Sequence, residues 1–205
     1  MQTIQKDCRT EIIIEKSRFI CTLKKVNSEE EAQEFIKSTK KEFWDATHNC
    51  SAYIINDMQQ RSSDDGEPSG TAGVPMLEVL RKKDLSGVAA VVTRYFGGIK
   101  LGAGGLVRAY TNSVAGAVEA AGIARRVEMT VFALSAPPGE AGRIMNKLYN
   151  QNIFTVNGAE YGERVQILLY MKRSQKTEAE EWLTAALNRI VELNEVKTEF
   201  VEVPV

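Results

Sequence analysis

The sequence has little cysteine, a single histidine and no long apolar run. Its three cysteines, Cys8, Cys21 and Cys50, form no CxxC pair, and their odd number does not suit a framework of disulfides. We therefore expect a reducing compartment, the cytoplasm. No stretch approaches the roughly 20 apolar residues that cross a bilayer, and the first residues lack the apolar centre of a secretion signal. These absences predict a protein without membrane contact.

An excess of one charge is also missing. The chain has 26 Lys and Arg against 27 Asp and Glu, a net charge of -1. The whole chain therefore does not attract nucleic acid, and any such binding must come from a local patch. With 43% hydrophobic residues over 205 positions, the chain can bury a core in one large or two small domains.

The first half of the chain carries strand and helix signals in turn. Runs of β-branched and apolar residues predict strands at 11–15, 19–23, 51–55 and 88–95. The last of these is almost continuously apolar, so we expect it at the centre of a sheet. Capping and periodicity signals predict helices from Ser28, over 76–82 and over 103–121. The polar stretch 56–73 is expected to be flexible.

The second half follows a different rhythm after Gly122, which is expected to end the preceding helix. Its signals are a strand at 127–134, a helix at 141–148, two strands at 153–156 and 165–171 around the turn Asn157-Gly158, a helix over 179–190 and a strand at 196–203. This β-α-β-β-α-β order is typical of a ferredoxin-like domain. We therefore predict an α+β protein with domains at 1–124 and 125–205.

The stretch from Thr93 to Tyr110 is glycine-rich and basic, and it joins the apolar strand to the third helix. Its residues with candidate roles are Arg94, Gly97, Gly98, Lys100, Gly102, Gly104, Gly105 and Arg108. Free N–H groups and the helix dipole at a helix start favour an anion. We predict from these residues a phosphate or nucleic-acid site. A tight turn that only brings helix and sheet together is the alternative, and neither a GxxxxGK[ST] loop nor a full dinucleotide fingerprint is present.

A second unusual stretch precedes the second helix and is rich in acidic and hydroxyl side chains. Its candidate ligand residues are Asp64, Asp65, Glu67, Ser69 and Thr71. Such groups could hold Mg²⁺ or act as acid and base. The same residue types also build ordinary solvated turns. We predict no dedicated metal site and no cofactor, because the spacing matches no known metal loop.

The only histidine, His48, lies two residues before Cys50 on a predicted strand. The pair could form a thiol nucleophile with its base, or could bind zinc together with Cys8 and Cys21. Both interpretations lack a supporting signature, since triads and zinc sites carry other spacings. We favour His48 as a polar contact to a phosphate or substrate and Cys50 as a core residue.

Four segments give the chain a family resemblance: residues 15–20 (EKSRFI), 46–53 (ATHNCSAY), 64–73 (DDGEPSGTAG) and 92–106 (VTRYFGGIKLGAGGL). In these segments the chain resembles bacterial proteins of the Impact family, of the YigZ/YvyE type. The resemblance implies a first domain like domain 2 of ribosomal protein S5 and a ferredoxin-like second domain. Relatives of both folds contact RNA or the ribosome, and eukaryotic Impact proteins act in translational control. The resemblance transfers no catalytic residue.

These observations favour a non-enzymatic protein that binds RNA, the ribosome or a translation factor and regulates translation. The glycine stretch would form the contact, with Arg18, His48 and the acidic stretch beside it. Two alternatives stay open. One is an enzyme that acts on a phosphorylated small molecule through the glycine stretch. The other is a protein-interaction module that uses the exposed sheet of the second domain.

Overall fold

The computed structural model describes residues 2–205, apart from the side chain of Pro204. Within this range the chain is an α+β protein with two β-sheets and five α-helices. Its residues form two compact units. The first contains residues up to Arg126 together with Glu202–Val205, and the second contains Val127–Val201. None of the helices described is both long and apolar enough to span a bilayer.

The first unit is built on a five-stranded sheet with three helices. The strands of the unit are β1 (Gln2–Ile4), β2 (Cys8–Ile14), β3 (Ser17–Lys25), β4 (His48–Asn56), β5 (Gln59–Ser63) and β6 (Val88–Tyr95). Its helices are α1 (Glu29–Glu42), α2 (Gly73–Lys82) and α3 (Gly102–Ala121). The sheet has the antiparallel order β2-β3-β6-β4-β5. Strand β1 instead pairs with the first residues of β7 (Ile123–Ala136).

Strand β6 is the central strand of this sheet, which confirms the prediction from its apolar run. Successive side chains of the strand point to opposite faces, so Ala90 and Val92 share one face and Ala89 and Val91 share the other. The first pair packs in the core formed with α2 and α3, and the second packs with Phe35 of α1. Helix α1 therefore covers the face of the sheet opposite to α2 and α3.

Helix α3 packs on the sheet through small side chains. Its buried face includes Ala109, Ser113 and Ala117. The hydroxyl of Ser113 donates to the carbonyl of Ala109 at 2.8 Å, so this polar group is satisfied inside the core. The helix ends at Gly122, whose φ of 72° suits glycine and whose N–H donates to Val118 at 3.0 Å. The predicted helix end is confirmed.

The second unit has the element order that the sequence predicted. Its elements are β7, α4 (Pro138–Leu148), β8 (Thr155–Glu160), β9 (Val165–Met171), a 3₁₀ turn (Arg173–Gln175), α5 (Lys176–Leu187) and β10 (Asn194–Pro204). Strands β7, β9 and β8 pair antiparallel in that order, and β10 also pairs with β7. The core of the unit forms around Phe132, Ile144, Ile167 and Leu183.

The structure adds one strand to the prediction and corrects two expectations about local structure. The stretch 56–73 contains β5, which pairs with β4 across a turn in which the side chain of Asn56 accepts two backbone N–H groups. Asn157-Gly158 lies inside β8 at a register shift and does not form a turn between strands. Helix α5 ends at Leu187 because Asn188 is left-handed, so Ile190 lies outside it.

Candidate functional site

The glycine-rich loop, defined as residues 96–105, comprises the connection after β6 and the first turn of α3. A Cβ on Gly97 would lie 2.0 Å from the backbone carbon of Lys16, so this glycine permits a close approach of the β2–β3 turn. Gly98 and Gly102 have φ of +87° and +68°, in the left-handed region that favours glycine. Packing and backbone conformation therefore account for these three glycines.

The first turn of α3 is open at its N-terminus. The helix follows Leu101, which makes no capping bond, and the turn has no acidic residue. A Cβ on Gly105 would lie 2.9 Å from the Leu101 side chain, whereas a Cβ on Gly104 would meet no atom within 4 Å. The uncapped N–H groups and the helix dipole favour an anion there. Gly104 leaves room for a ligand backbone to approach them.

Lys100 and Arg108 line one groove beside this helix start. The groove has a volume of about 610 Å³ and is also lined by Glu15 and Asn112. Neither basic side chain makes an ion pair with a residue that the structure describes. Their charges are therefore available to an anionic ligand, with the Glu15 carboxylate as the opposing charge in the same groove.

Arg94 is placed differently from Lys100 and Arg108. Its side chain is 6% exposed, and its Nη1 donates to Oε1 of Glu67 at 2.7 Å. The guanidinium lies over the rings of Phe19 and Phe96, at 5.4 and 5.6 Å from their centroids. Its Nε has no hydrogen-bond partner among the described residues. The charge of Arg94 is thus neutralised by Glu67 within the protein, so Arg94 is not available to pair with a phosphate as Lys100 and Arg108 are.

Glu67 connects three elements through one carboxylate. Its Oε1 accepts from Arg94 of β6 and, at 2.8 Å, from the hydroxyl of Tyr110 of α3. Its Oε2 lies 3.7 Å from Nε2 of His48. His48 Nδ1 is 2.8 Å from the carbonyl of Asp65, and a carbonyl only accepts, so Nδ1 carries the hydrogen. In the neutral ring Nε2 is then an acceptor. Burial raises the pKa of Tyr110 far above its ordinary value, so it stays a donor.

The thiol of Cys50 lies in the interior below this network. Its Sγ is 2.9 Å from the carbonyl of Asp64 and 3.3 Å from the Tyr110 hydroxyl. Burial raises the pKa of Cys50 to about 12, so the thiol stays protonated at neutral pH. The protonated Cys50 thiol therefore does not form a nucleophile–base pair with His48. Among residues 2–205 no group of three or more His, Cys, Asp or Glu is arranged to hold a metal.

The carboxylates of the acidic stretch hold its backbone in place. Asp64 accepts from the N–H groups of Gly70, Ala72 and Gly73 at 2.8 to 3.1 Å and so caps the start of α2. Partial burial works to raise the pKa of Asp64, but these N–H groups lower it below its ordinary value. The stretch is therefore held in place by internal hydrogen bonds.

Asp65 is engaged in the same way. It accepts from Nζ of Lys40 at 2.5 Å and from the N–H of Asn49 at 2.6 Å. Burial raises its pKa, yet Lys40 and the Asn49 N–H lower it overall. Thr71 donates to the carbonyl of Pro68 at 2.6 Å, and Ser69 is exposed. Glu67 of this stretch lines a cavity beside the glycine-rich loop.

Arg18 lies on the surface beside β6. It makes a two-point ion pair with Glu11, at 2.9 and 3.0 Å, and its guanidinium lies 5.4 Å from the ring centroid of Tyr95. Both charged side chains are more than a third exposed. Arg18 could therefore exchange Glu11 for a phosphate at a small cost, since exposed pairs contribute little.

A cavity of about 420 Å³ lies between the acidic stretch and the glycine-rich loop. It brings together the predicted residues His48, Glu67, Arg94, Lys100 and Gly102. Arg18, Arg108, Ser69 and Thr71 are not among its lining residues. The sequence reasoning missed Phe96, which lines this cavity and is 47% exposed. A large aromatic residue between a strand end and a glycine pair was the signal that could have found it.

The chain is similar to known proteins in both sequence and fold. The sequence profile of the Impact N-terminal domain matches residues 15–118. The chain is 48% identical over 202 residues to the IMPACT family member YvyE of Bacillus subtilis, with 98% of this chain and 93% of that protein covered. It is 44% identical over 125 residues to YigZ of Escherichia coli, covering 59% and 61% of the two chains. The crystal structure of a hypothetical protein aligns with a TM-score of 0.59 at 30% identity, over 96% of this chain and 97% of that one.

Proposed function

The chain belongs to the IMPACT family, and from this premise we propose that it is a non-enzymatic RNA-binding protein that acts in the regulation of translation. One observation carries the proposal. Lys100 and Arg108 lie together in a groove at the uncapped start of α3, and neither is in an ion pair with any residue described. The translational role rests on the family resemblance.

The chemistry of this surface suits a phosphate backbone. Lys100 and Arg108 would neutralise phosphates, and the N–H groups at the start of α3 would orient one of them. Gly104 keeps the helix start accessible, because no side chain stands above it. The net charge of -1 confines attraction to this patch. Arg18 is a peripheral contact of the same proposal, once it releases Glu11.

The finer fold assignment is also part of the proposal. We propose that the second unit is ferredoxin-like and that the first is like domain 2 of ribosomal protein S5. Support for the former is the strand order β10-β7-β9-β8 combined with the β-α-β-β-α-β sequence of elements. Such domains occur in proteins that contact RNA or the ribosome, which agrees with an RNA, ribosome or translation-factor partner in the cytoplasm.

The test is co-sedimentation with ribosomes and with purified RNA over a salt series. The informative variant is Lys100→Ala/Arg108→Ala. Its matched control is Lys37→Ala/Lys41→Ala, which removes the same charge from the exposed side of α1, on the opposite face of the sheet. Each lost phosphate contact should reduce the slope of log affinity against log salt by about 0.7 for single-stranded RNA. The variant should therefore lose about 1.4 of slope, and the control should lose none.

The outcomes separate the proposal from its alternatives. Wild-type binding that weakens with salt, and that Lys100→Ala/Arg108→Ala alone diminishes, supports it. Absence of wild-type binding at low salt would overturn it and favour an enzyme or a protein-interaction module. The translational role requires a second readout. Added to a cell-free translation reaction, the wild-type protein should change the yield, and the binding-deficient variant should not.

A further inference from the structure

The cavity between the acidic stretch and the glycine-rich loop has apolar walls and a polar floor. Its walls include Pro68, Phe96, Leu101 and Leu106, and its volume is about 420 Å³. Cavities of this size hold small ligands, with apolar side chains giving contact area and a few polar groups fixing orientation. The arrangement suits a flat apolar group with a hydrogen-bonding edge.

Phe96 is the exposed aromatic wall of this cavity. The residue is 47% exposed, and the guanidinium of Arg94 lies 5.6 Å from the ring centroid. The backbone that carries the ring is fixed, because the N–H of Phe96 donates to Thr47 Oγ1 at 3.0 Å and that of Gly97 donates to Ser17 Oγ at 3.1 Å. A half-exposed aromatic residue on a fixed backbone suits a stacking platform for a nucleobase.

The floor of the cavity presents the Glu67 carboxylate and, in the neutral ring of His48, a second acceptor at Nε2. Oε2 of Glu67 and Nε2 of His48 are 3.7 Å apart, and the proton on Nδ1 of His48 is committed to the Asp65 carbonyl. A ligand that reaches them must offer donors. Guanine does so with its adjacent N1–H and N2–H₂ groups, whereas uracil has one N–H between two carbonyl oxygens. The floor therefore favours guanine over uracil.

Lys100 and the start of α3 border the same cavity. Lys100, Gly102 and Ala103 are among its lining residues. The phosphate of a bound nucleotide would meet a positive charge and free N–H groups at this edge. A base inside the cavity and its phosphate at the rim account for both the apolar and the basic parts of the site.

We propose that this cavity binds one unpaired guanine base of a single-stranded RNA, stacked on Phe96, with its donor edge towards Glu67 and His48 and its phosphate beside Lys100. This inference rests on the proposed RNA-binding function and specifies it. Duplex RNA keeps its bases paired and stacked, so it can use the basic groove but not the cavity.

The experiment compares short single-stranded RNAs by fluorescence anisotropy. One probe is an oligouridine with a single central guanosine, and the other is an oligouridine of the same length. The wild type should bind the guanosine probe roughly tenfold more tightly. Phe96→Ala should weaken this binding roughly 5- to 100-fold, whereas Phe96→Trp should retain it. Phe200→Ala, at another exposed aromatic residue, is the matched control.

His48→Ala supplies the test of base recognition. It should reduce the preference for guanosine over uridine, because it removes one of the two acceptors on the floor and leaves the other, the Glu67 carboxylate. Thermal unfolding of each variant verifies that it is folded. The inference is overturned if Phe96→Ala binds the guanosine probe as the wild type does, or if the wild type shows no base preference. If Lys100→Ala/Arg108→Ala still weakens binding in that case, the proposed RNA-binding function stands alone. Failure of the wild type to bind either probe also overturns the inference, and co-sedimentation with ribosomes and purified RNA then decides the RNA-binding function separately.

Discussion

Removal of the Glu67 carboxylate is expected to destabilise the first unit more than loss of any exposed ion pair. The side chains of Arg94 and Glu67 are 6% and 3% exposed, and their ion pair is supported by a hydrogen bond from Tyr110. Glu67→Ala leaves the Arg94 charge buried without its partner and leaves the Tyr110 hydroxyl without its acceptor. Breaking a buried pair from one side costs about 3–5 kcal/mol.

Two comparisons isolate the cause of this loss. Glu42→Ala breaks the exposed pair between Arg9 and Glu42, whose two hydrogen bonds are 2.7 and 2.8 Å long. Those side chains are 44% and 50% exposed, so its expected cost is about 0–1 kcal/mol. Glu67→Ala/Arg94→Met removes both buried charges and should recover most of the stability that Glu67→Ala loses.

Hydrogen exchange measured by mass spectrometry on the β6 peptide is the suitable assay, because it reports on the first unit alone. Under conditions in which exchange follows the opening equilibrium, Glu67→Ala should accelerate the slowest β6 amides by about 150- to 5,000-fold, the equivalent of 3–5 kcal/mol. If Glu67→Ala exchanges no faster than Glu42→Ala, the buried pair does not have the assigned role. If the double variant is as unstable as Glu67→Ala, an unpaired Arg94 charge is not the cause.

Three further predictions concern backbone, pH and thiol chemistry. Gly97→Ala should lower the free energy of unfolding by about 1–3 kcal/mol, since its Cβ would collide with the β2–β3 turn. Gly104→Ala should instead raise it by about 0.5–1 kcal/mol, and thermal unfolding that ranks the two variants in the opposite order would contradict this. Folding lowers the pKa of Asp64 below its ordinary value of 3.8, so the ionised carboxylate stabilises the protein at pH values above 3.8. This stabilisation is lost as the pH falls from 3.8 through the folded-state pKa. In urea unfolding, the free energy of unfolding of the wild type should therefore exceed that of Asp64→Ala by less and less as the pH falls below 3.8. A difference that stays constant with pH would refute the assignment. A thiol reagent at pH 8 should label half-buried Cys8 well before Cys50. Equal labelling rates in the native protein would show that the Cys50 thiol is accessible.

Elements with a buried face could be predicted from sequence, and exposed ones could not. Strand β6 and helix α3 were found because burial imposes a periodic or continuous apolar pattern. Strand β5, with the sequence QQRSS, is an edge strand that is mostly exposed, so no such pattern marks it. Asn157-Gly158 is the usual signal of a hairpin turn, but in β8 the same residues form an irregularity within the strand.

The candidate site was only partly predictable for a related reason. The composition of the glycine stretch indicated that Lys100 and the start of α3 lie together, because they are neighbours in the chain. Composition could not separate Arg94 from Lys100, since both are basic residues of the same stretch. Their difference arises from Glu67, which is 27 positions away from Arg94 in sequence and contacts it only in the folded protein.

The two unusual stretches of the first unit are joined by a single carboxylate. Glu67 belongs to the acidic stretch, and its partners Arg94 and Tyr110 belong to β6 and α3, which flank the glycine-rich loop. An apolar replacement of such a buried charged network is often as stable or more stable, so stability alone does not explain a charged group at this position. The network lies at the floor of a cavity, where it fixes both walls and leaves Oε2 facing His48. A preorganised polar floor under apolar walls is what selective recognition of a ligand edge requires.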